Sequence, residues 1–474
     1  MLSERALTTM PRQARSRIED VFDAIAMAWH SHNKKVMFGM LPSVGRGILL
    51  QKGKQGDPVR MRASHDAYFD FRYQGDYPEM YELYRRAIKN QWDGDTQLDW
   101  ATDVDPLNPE VPLLPDGIIP IPGLEACGIH LDQHEKRRFV HDMTSWMLSQ
   151  FMHGEQGALY ASAQVTESVR WTDGKFYGAT QVMDEARHLE VFLRYLETKL
   201  NKLYQVNDNL FTIMDSLMTD SRWDMKFLGM QIMIEGLALG SFNTLYHSTS
   251  EPLLKELLRY VIQDEARHVH YGVLALKRHF AELDEKELRE REDWAFDVAI
   301  LMRNRFLAHE LYQEWFEGIL RRKQWDQVML EMPYMQRFRN LMFRRLIPNL
   351  EYIGLFSPAS KDTTRRRVSS SSRGAEMRPS SPRRTCWKKP IEKRCAARAI
   401  GLPESAGDLK PRCFGRPGAC PESGSERKAI AEPREGRDRS ELRQDFPRVF
   451  AQQRREECAR DRKSALHGLA CLER

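Results

Sequence analysis

The chain has 474 residues, with 72 Lys and Arg against 67 Asp and Glu and a formal net charge of +5. That figure averages two unlike parts: 29 basic and 16 acidic residues lie from Ala359 onward, leaving 43 basic and 51 acidic before it. Leu, Ile, Val and Phe fill only 14 of the last 116 positions, too few to offset ordering entropy by burial.

Several classes fall away on the same grounds. No apolar run approaches the roughly 18 residues of a membrane span. Charged residues are scattered through the first thirty positions, so no secretory leader is visible. Of seven cysteines only Cys127 precedes the tail, which leaves no disulfide framework there, and the six late cysteines form no C-x-x-C pair. A cytoplasmic location is the expectation. The arginine-rich tail carries few aromatic residues and no stacking motif, so no specific nucleic acid is expected as a partner.

In chain order, residues 1 to about 60 mix helical pattern with glycine breaks. Residues 77–92 have helical spacing. Six prolines between Pro106 and Pro122 predict an extended segment wrapped over a surface. Apolar positions then recur every three or four residues over 131–169, 173–204, 221–248, 251–283 and 285–320, with a further helix near 324–347. Ser250 ahead of Pro252, and the Thr172–Asp173 pair, read as helix caps. No stretch sustains a period of two. The expected class is all-α, with an arm and wrapping segment over 1–124, a helical bundle over 125–358, and a basic, disordered tail over 359–474.

The strongest pattern is a duplication. The pentapeptide DEARH occurs at 184–188 and at 264–268, eighty positions apart. Each copy is a Glu-x-x-His, Glu185 with His188 and Glu265 with His268, and residues three apart share one helix face. Thirty positions upstream of each lies another glutamate, Glu155 and Glu235, both in apolar surroundings. Thirty residues suit an antiparallel helical return. Four converging carboxylates would be prohibitively costly to bury without cations, whereas two divalent ions balance their charge. The oxygen- and nitrogen-rich donor set suits iron or manganese.

These six residues resemble the ligands of the ferritin-like di-iron carboxylate superfamily, a four-helix bundle with one Glu on each of two helices and Glu-x-x-His on two others. The Asp-Glu-x-Arg-His form is similar to that of bacterial multicomponent monooxygenase hydroxylases and of the ribonucleotide reductase small subunit. The segment 90–100, NQWDGDTQLDW, is similar to the stretch before the bundle in the latter. The resemblance implies that Asp264 accepts a hydrogen bond from His188 and Asp184 one from His268, with Arg187 and Arg267 paired to these carboxylates.

The resemblance also has gaps. Phe192 stands where the reductase subunit carries its radical tyrosine, and Leu239 where the hydroxylases carry a threonine. The equal spacing of thirty is more symmetric than in those enzymes, which points to a separate oxygenase or oxidase branch. Ala158, Leu159, Phe192, Ala238, Leu239 and Gly272, each one turn from a ligand, are candidates for an apolar pocket.

The function implied is a di-iron (or Mn/Fe) oxygenase or oxidase that activates dioxygen against a small apolar substrate, with an electron-donor protein and a homodimer as possible partners. The alternative is a non-enzymatic ferritin-like iron-binding or iron-sensing protein.

Overall fold

The computed structural model describes residues 11–31 and 33–356. The expected basic tail at 359–474 lies outside the described residues. Within them every named element is helical, and the one β-bridge, Glu317 with Leu320, is isolated.

Three helices of eleven residues or more precede the proline-rich segment, α1 (Arg12–His30), α2 (Lys34–Val44) and α3 (Pro78–Lys89), beside shorter turns that include Gly94–Gln97. The prolines between 106 and 120 hold that stretch out of helix, apart from a turn of 3-10 helix at Asp116–Ile118, while Leu113, Leu114, Ile118 and Ile119 are buried. The last of the six prolines, Pro122, stands inside a short helix, Ile121–Ala126, and not in the extended segment expected. The backbone N–H of Ser250 donates to the Pro112 carbonyl.

Four long helices carry the repeated motifs. α4 (Gln133–Ser168) opens with a capping box in which Asp132 and Glu135 accept each other's backbone N–H. α5 (Thr172–Tyr195) returns antiparallel to it and ends in a π-helical turn, Leu196–Leu200, closed by left-handed Asn201. α6 (Asp208–Thr219) crosses next. α7 starts as Trp223–Phe227, widens to a π-helix over Leu228–Ile234 and continues as Glu235–Ser248. α8 (Pro252–Phe280) pairs back against α7 and also packs on α5. Two helical hairpins, each bearing one upstream Glu and one Glu-x-x-His, thus pack side by side, which is the ferritin-like layout.

The remaining helices flank this core. α9 (Glu285–Arg305), α10 (His309–Trp315), α11 (Arg322–Glu331) and α12 (Pro333–Tyr352) follow in order. α3 lies on α5 and α8, α9 on the π-helical part of α7, and α12 on the second half of α7.

Five local expectations need correction. The helix expected over 285–320 breaks after Arg305, where buried Ala308 adopts φ 48°. The turn is fixed by the Trp325 indole N–H donating to the Leu307 carbonyl at 2.6 Å, a long-range contact that helical periodicity cannot register. The helix expected over 324–347 is two helices, because Pro333 starts a new one at its first position. Helix α6 was not expected: its polar residues Thr212, Asp215 and Ser216 are buried together with its apolar ones, so polarity along it does not mark a solvent face. At α8 the cap is Glu251, whose carboxylate accepts from the N–H groups of Leu253 and Leu254, and not Ser250. Asp173 likewise turns away from its own helix and accepts the Tyr77 N–H at 2.9 Å.

Candidate metal centre

The two hairpins bring all six predicted donors to one buried place. Glu155 comes from α4, Glu185 and His188 from α5, Glu235 from α7, Glu265 and His268 from α8, and none is more than 5% exposed. They fall into two overlapping groups, with donor atoms within 4.8 Å of one another in each. One holds Glu155, Glu185, His188 and Glu265; the other holds Glu185, Glu235 and His268.

The imidazoles point the same nitrogen inward. His188 Nδ1 lies 3.4 Å from Glu155, 3.5 Å from Glu185 and 3.3 Å from Glu265. His268 Nδ1 lies 3.0 Å from Glu185 and 3.5 Å from Glu265. Adjacent atoms bound at roughly 2.1 Å to one octahedral ion lie about 3 Å apart, so these separations suit donors around shared cations. Glu185 and Glu265 each reach both imidazoles, which places them between two positions; Glu155 and Glu235 sit at the two ends.

Whether the residues fit such ions can be tested on their unsatisfied atoms. Glu185 Oε2, Glu235 Oε2, both oxygens of Glu265 and His268 Nδ1 are buried without a hydrogen-bond partner. Most buried polar atoms in native interiors have a partner, and here five without one converge. Burial, with Glu265 and Glu185 adding repulsion, pushes the Glu155 carboxyl well above the usual range, and burial with Glu185 and Glu265 does the same at Glu235. Burial would also raise Glu185, but the two imidazoles, His268 foremost, reverse this and hold it well below that range. The donor set fits divalent cations.

The outward face of each imidazole is held as the family resemblance implies. His188 Nε2 lies 3.1 Å from Asp264 and His268 Nε2 lies 3.2 Å from Asp184, each contact crossing to the other helix. Arg187 donates to Asp184 at 2.5 Å and to Asp264 at 3.1 Å. Arg267 mirrors it, donating to Asp264 and, at 3.4 Å, to Asp184. Two aspartates and two arginines cancel, so the charge left for cations is that of the four glutamates.

Four further residues complete the layer. Gln181, one turn before Glu185, donates to Glu185 at 3.0 Å and to Glu235 at 2.9 Å. Gln231 precedes Glu235 by the same four residues and lies 3.4 Å from Gln181, so a glutamine one turn before a ligand was a readable repeat. Trp92 donates to Asp264 at 2.7 Å and stacks under the Arg187 guanidinium, 4.6 Å from its ring centre. Gln91 beside it donates to Asp184 and accepts from Arg187. Both belong to the 90–100 segment singled out above.

A cavity of about 20 Å³, counted as space open to the centre of a water-sized sphere, adjoins the carboxylates. Its wall includes Glu155, Glu235 and Glu265 with Phe151, Ile234 and Phe242. That is room for a molecule or two the size of water. Of the six pocket candidates, Ala158 and Ala238 line it and the other four do not. Phe192 lies behind the wall, its ring stacked 5.8 Å from Phe242. Gly272 serves helix approach instead: a Cβ there would meet Gln231 Cβ at 2.5 Å. Leu159 and Leu239 are half-buried and away from this wall. One turn from a ligand does not suffice for facing the cavity, and it is not required either: Met302 and Arg305 reach the wall from α9, which carries no ligand. His153 is spent on the Tyr204 carbonyl at 2.9 Å and joins neither group. Tyr195 and Tyr271 donate to Glu251 and to the Gly174 carbonyl, as packed core tyrosines do.

No protein-family model matches the chain, and no curated protein does. Solved structures do. An R2-like ligand-binding oxidase with an aerobically reconstituted metal cofactor after photoconversion is similar at 16% identity and a TM-score of 0.40, over 60% of this chain and 95% of that one. A point mutant of an R2-like ligand-binding oxidase with an anaerobically reconstituted Mn/Fe cofactor is similar at 17% identity and a TM-score of 0.38, with the same coverage. Similarity this distant leaves the functional reading to the side chains themselves. No described helix is long and apolar enough to cross a membrane.

Proposed function

We propose that this chain is a dinuclear iron, or manganese–iron, oxidoreductase that uses dioxygen. The observation that carries the reading is the convergence of four buried glutamates and two imidazole nitrogens with five unsatisfied donor atoms among them. When bound, such a pair of metals supplies electrons to dioxygen and makes it reactive toward an organic group.

The protein's part is positional. Glu155 and His188 would hold one ion, Glu235 and His268 the other, and Glu185 and Glu265 both. Asp264 and Asp184 keep the imidazole Nε2 protonated and Nδ1 free to ligate. Gln181 ties Glu185 to Glu235, limiting how far either can swing. Phe151, Ile234 and Phe242 give the space beside the carboxylates an apolar side. Phe192, at the position of the reductase tyrosine, cannot hold a stable phenoxyl radical, so the chemistry is directed at a bound substrate and not at a protein radical there.

The test is anaerobic loading of the full chain with ferrous ions, followed by oxygen exposure. The reading expects uptake to saturate near two irons per chain. Continued oxidation and mineral growth over many irons would instead identify an iron store, and no oxygen uptake would refute the oxidoreductase.

A further inference from the structure

Met302 and Arg305, on the last turn of α9, share the wall of the cavity beside the carboxylates with Glu155, Glu235 and Glu265. Both are buried, at 1% and 8% exposure. The Arg305 guanidinium donates to the Met302 sulfur at 3.7 Å, and its Nε has no hydrogen-bond partner. Among the described residues no carboxylate lies within ion-pair distance of Arg305, whereas the buried Arg187, Arg267 and Arg291 each hold an aspartate. A thioether thus lines the metal-side cavity, backed by a guanidinium with donors to spare.

Phe151, Arg305 and Phe306 also line a second cavity of about 20 Å³. Four of its twelve lining residues are methionines, Met143, Met147, Met329 and Met335, in a chain where methionine fills 22 of 474 positions. They come from three helices, α4, α11 and α12, so no single stretch of sequence accounts for the cluster. Neither cavity has room for more than a molecule or two the size of water. Hydrogen peroxide, with two heavy atoms, is within that limit, and a larger organic molecule is not.

Dioxygen that takes up two electrons and two protons without reaching an organic group leaves as hydrogen peroxide. A methionine sulfur consumes it in one step. The sulfur lone pair attacks one peroxide oxygen, the O–O bond breaks, and the other oxygen departs as water with both protons. The sulfur gives up two electrons, the peroxide gains two, and no other reductant enters. The product is a polar sulfoxide, which an apolar wall disfavours. Arg305 meets that need at Met302, because a donor already on the sulfur can pass to the new sulfoxide oxygen. We infer that Met302 and the four methionines of the second cavity are oxidation sites that consume hydrogen peroxide escaping from the dinuclear centre. This role rests on the functional reading above and adds a protective reaction beside it.

The test loads the full chain with ferrous ions anaerobically and exposes it to oxygen without organic substrate, with catalase present to destroy peroxide that reaches the solution. Oxygen uptake is recorded, and sulfoxides are mapped by peptide mass spectrometry. Met183, 57% exposed on α5, is the internal control. Met302 and the second-cavity methionines should gain at least threefold more sulfoxide than Met183. In the metal-free chain treated with added hydrogen peroxide, the order should reverse. Without catalase, Met302→Leu should release at least twofold more peroxide per oxygen consumed, with its fold checked by circular dichroism. Leu is close to Met in volume, and the wild-type map decides the matter if the variant does not fold. Oxygen uptake with no sulfoxide at the five sites, or with Met183 oxidised first, overturns the inference and leaves the oxidoreductase standing. So does the same order of oxidation in both samples, or an unchanged peroxide yield in Met302→Leu. No oxygen uptake refutes the oxidoreductase, and the protective role falls with it.

Discussion

Asp264→Asn separates the two metal positions. Asp264 accepts from His188 at 3.1 Å, from Trp92 at 2.7 Å, from Arg187 at 3.1 Å and from Arg267. An amide keeps one accepting oxygen and loses the carboxylate charge. Its NH2 faces either Arg267 or the His188, Trp92 and Arg187 donors, and either way the hold on His188 weakens. Removing such an outer partner of a ligating histidine costs about 10- to 100-fold in metal affinity, or roughly 1.4–2.8 kcal/mol. The loss falls on the ion between Glu155 and His188. The ion between Glu235 and His268 keeps Asp184 behind its imidazole. Anaerobic equilibrium dialysis against buffered ferrous ions, with metal counted per chain, should show one tight and one weakened site. Asp184→Asn should weaken the other. Two sites at wild-type affinity, or equal loss of both, would refute the crossed aspartate–histidine arrangement.

Three further outcomes follow from single contacts. Gln181→Leu removes two hydrogen bonds to buried carboxylates and should lower the stability of the metal-free chain by about 2 kcal/mol in urea titration; an unchanged midpoint would refute the tie. Gly272→Ala places a Cβ 2.5 Å from Gln231 Cβ, so α7 and α8 must part; a cost of about 1–3 kcal/mol is expected, and a neutral result would contradict this close approach. Lys226 is buried, and burial lowers its ammonium to about 8 from 10.5. Between those values the folded chain binds fewer protons than the unfolded one, so stability should rise with pH from about 8 to 10 relative to Lys226→Met, by up to about 3 kcal/mol; parallel pH profiles would refute the shift.

Much of the centre was readable because its chemistry repeats. Glu185–His188 and Glu265–His268 recur with identical neighbours, and a glutamate thirty residues upstream of each needs only a helical return to reach them. The structure places all six together, and crosses Asp184 and Asp264 to the opposite histidines. What remained hidden depends on contacts distant in sequence. Arg305 ends a helix that periodicity extends to 320, and only the buried turn at Ala308, held by Trp325, turns it to the cavity wall. Trp92 reaches Asp264 across 172 positions. Helix α6 escaped because Thr212, Asp215 and Ser216 are buried with its apolar residues, so its polar positions do not mark a solvent face. The pocket was legible for two of six candidates: helical spacing located Ala158 and Ala238, but packing of Phe192 and Gly272 decided against facing the cavity.

The central claim is that two cations sit among four glutamates and two histidines. Metal analysis of the purified full chain, beside Glu185→Ala and Glu265→Ala, tests it most directly. The wild-type chain should carry close to two ions of iron, or of manganese with iron. Each variant, having lost a carboxylate that reaches both positions, should carry less than one. A metal-free wild-type chain that also fails to take up ferrous or manganous ions, or variants that retain two, would contradict the account.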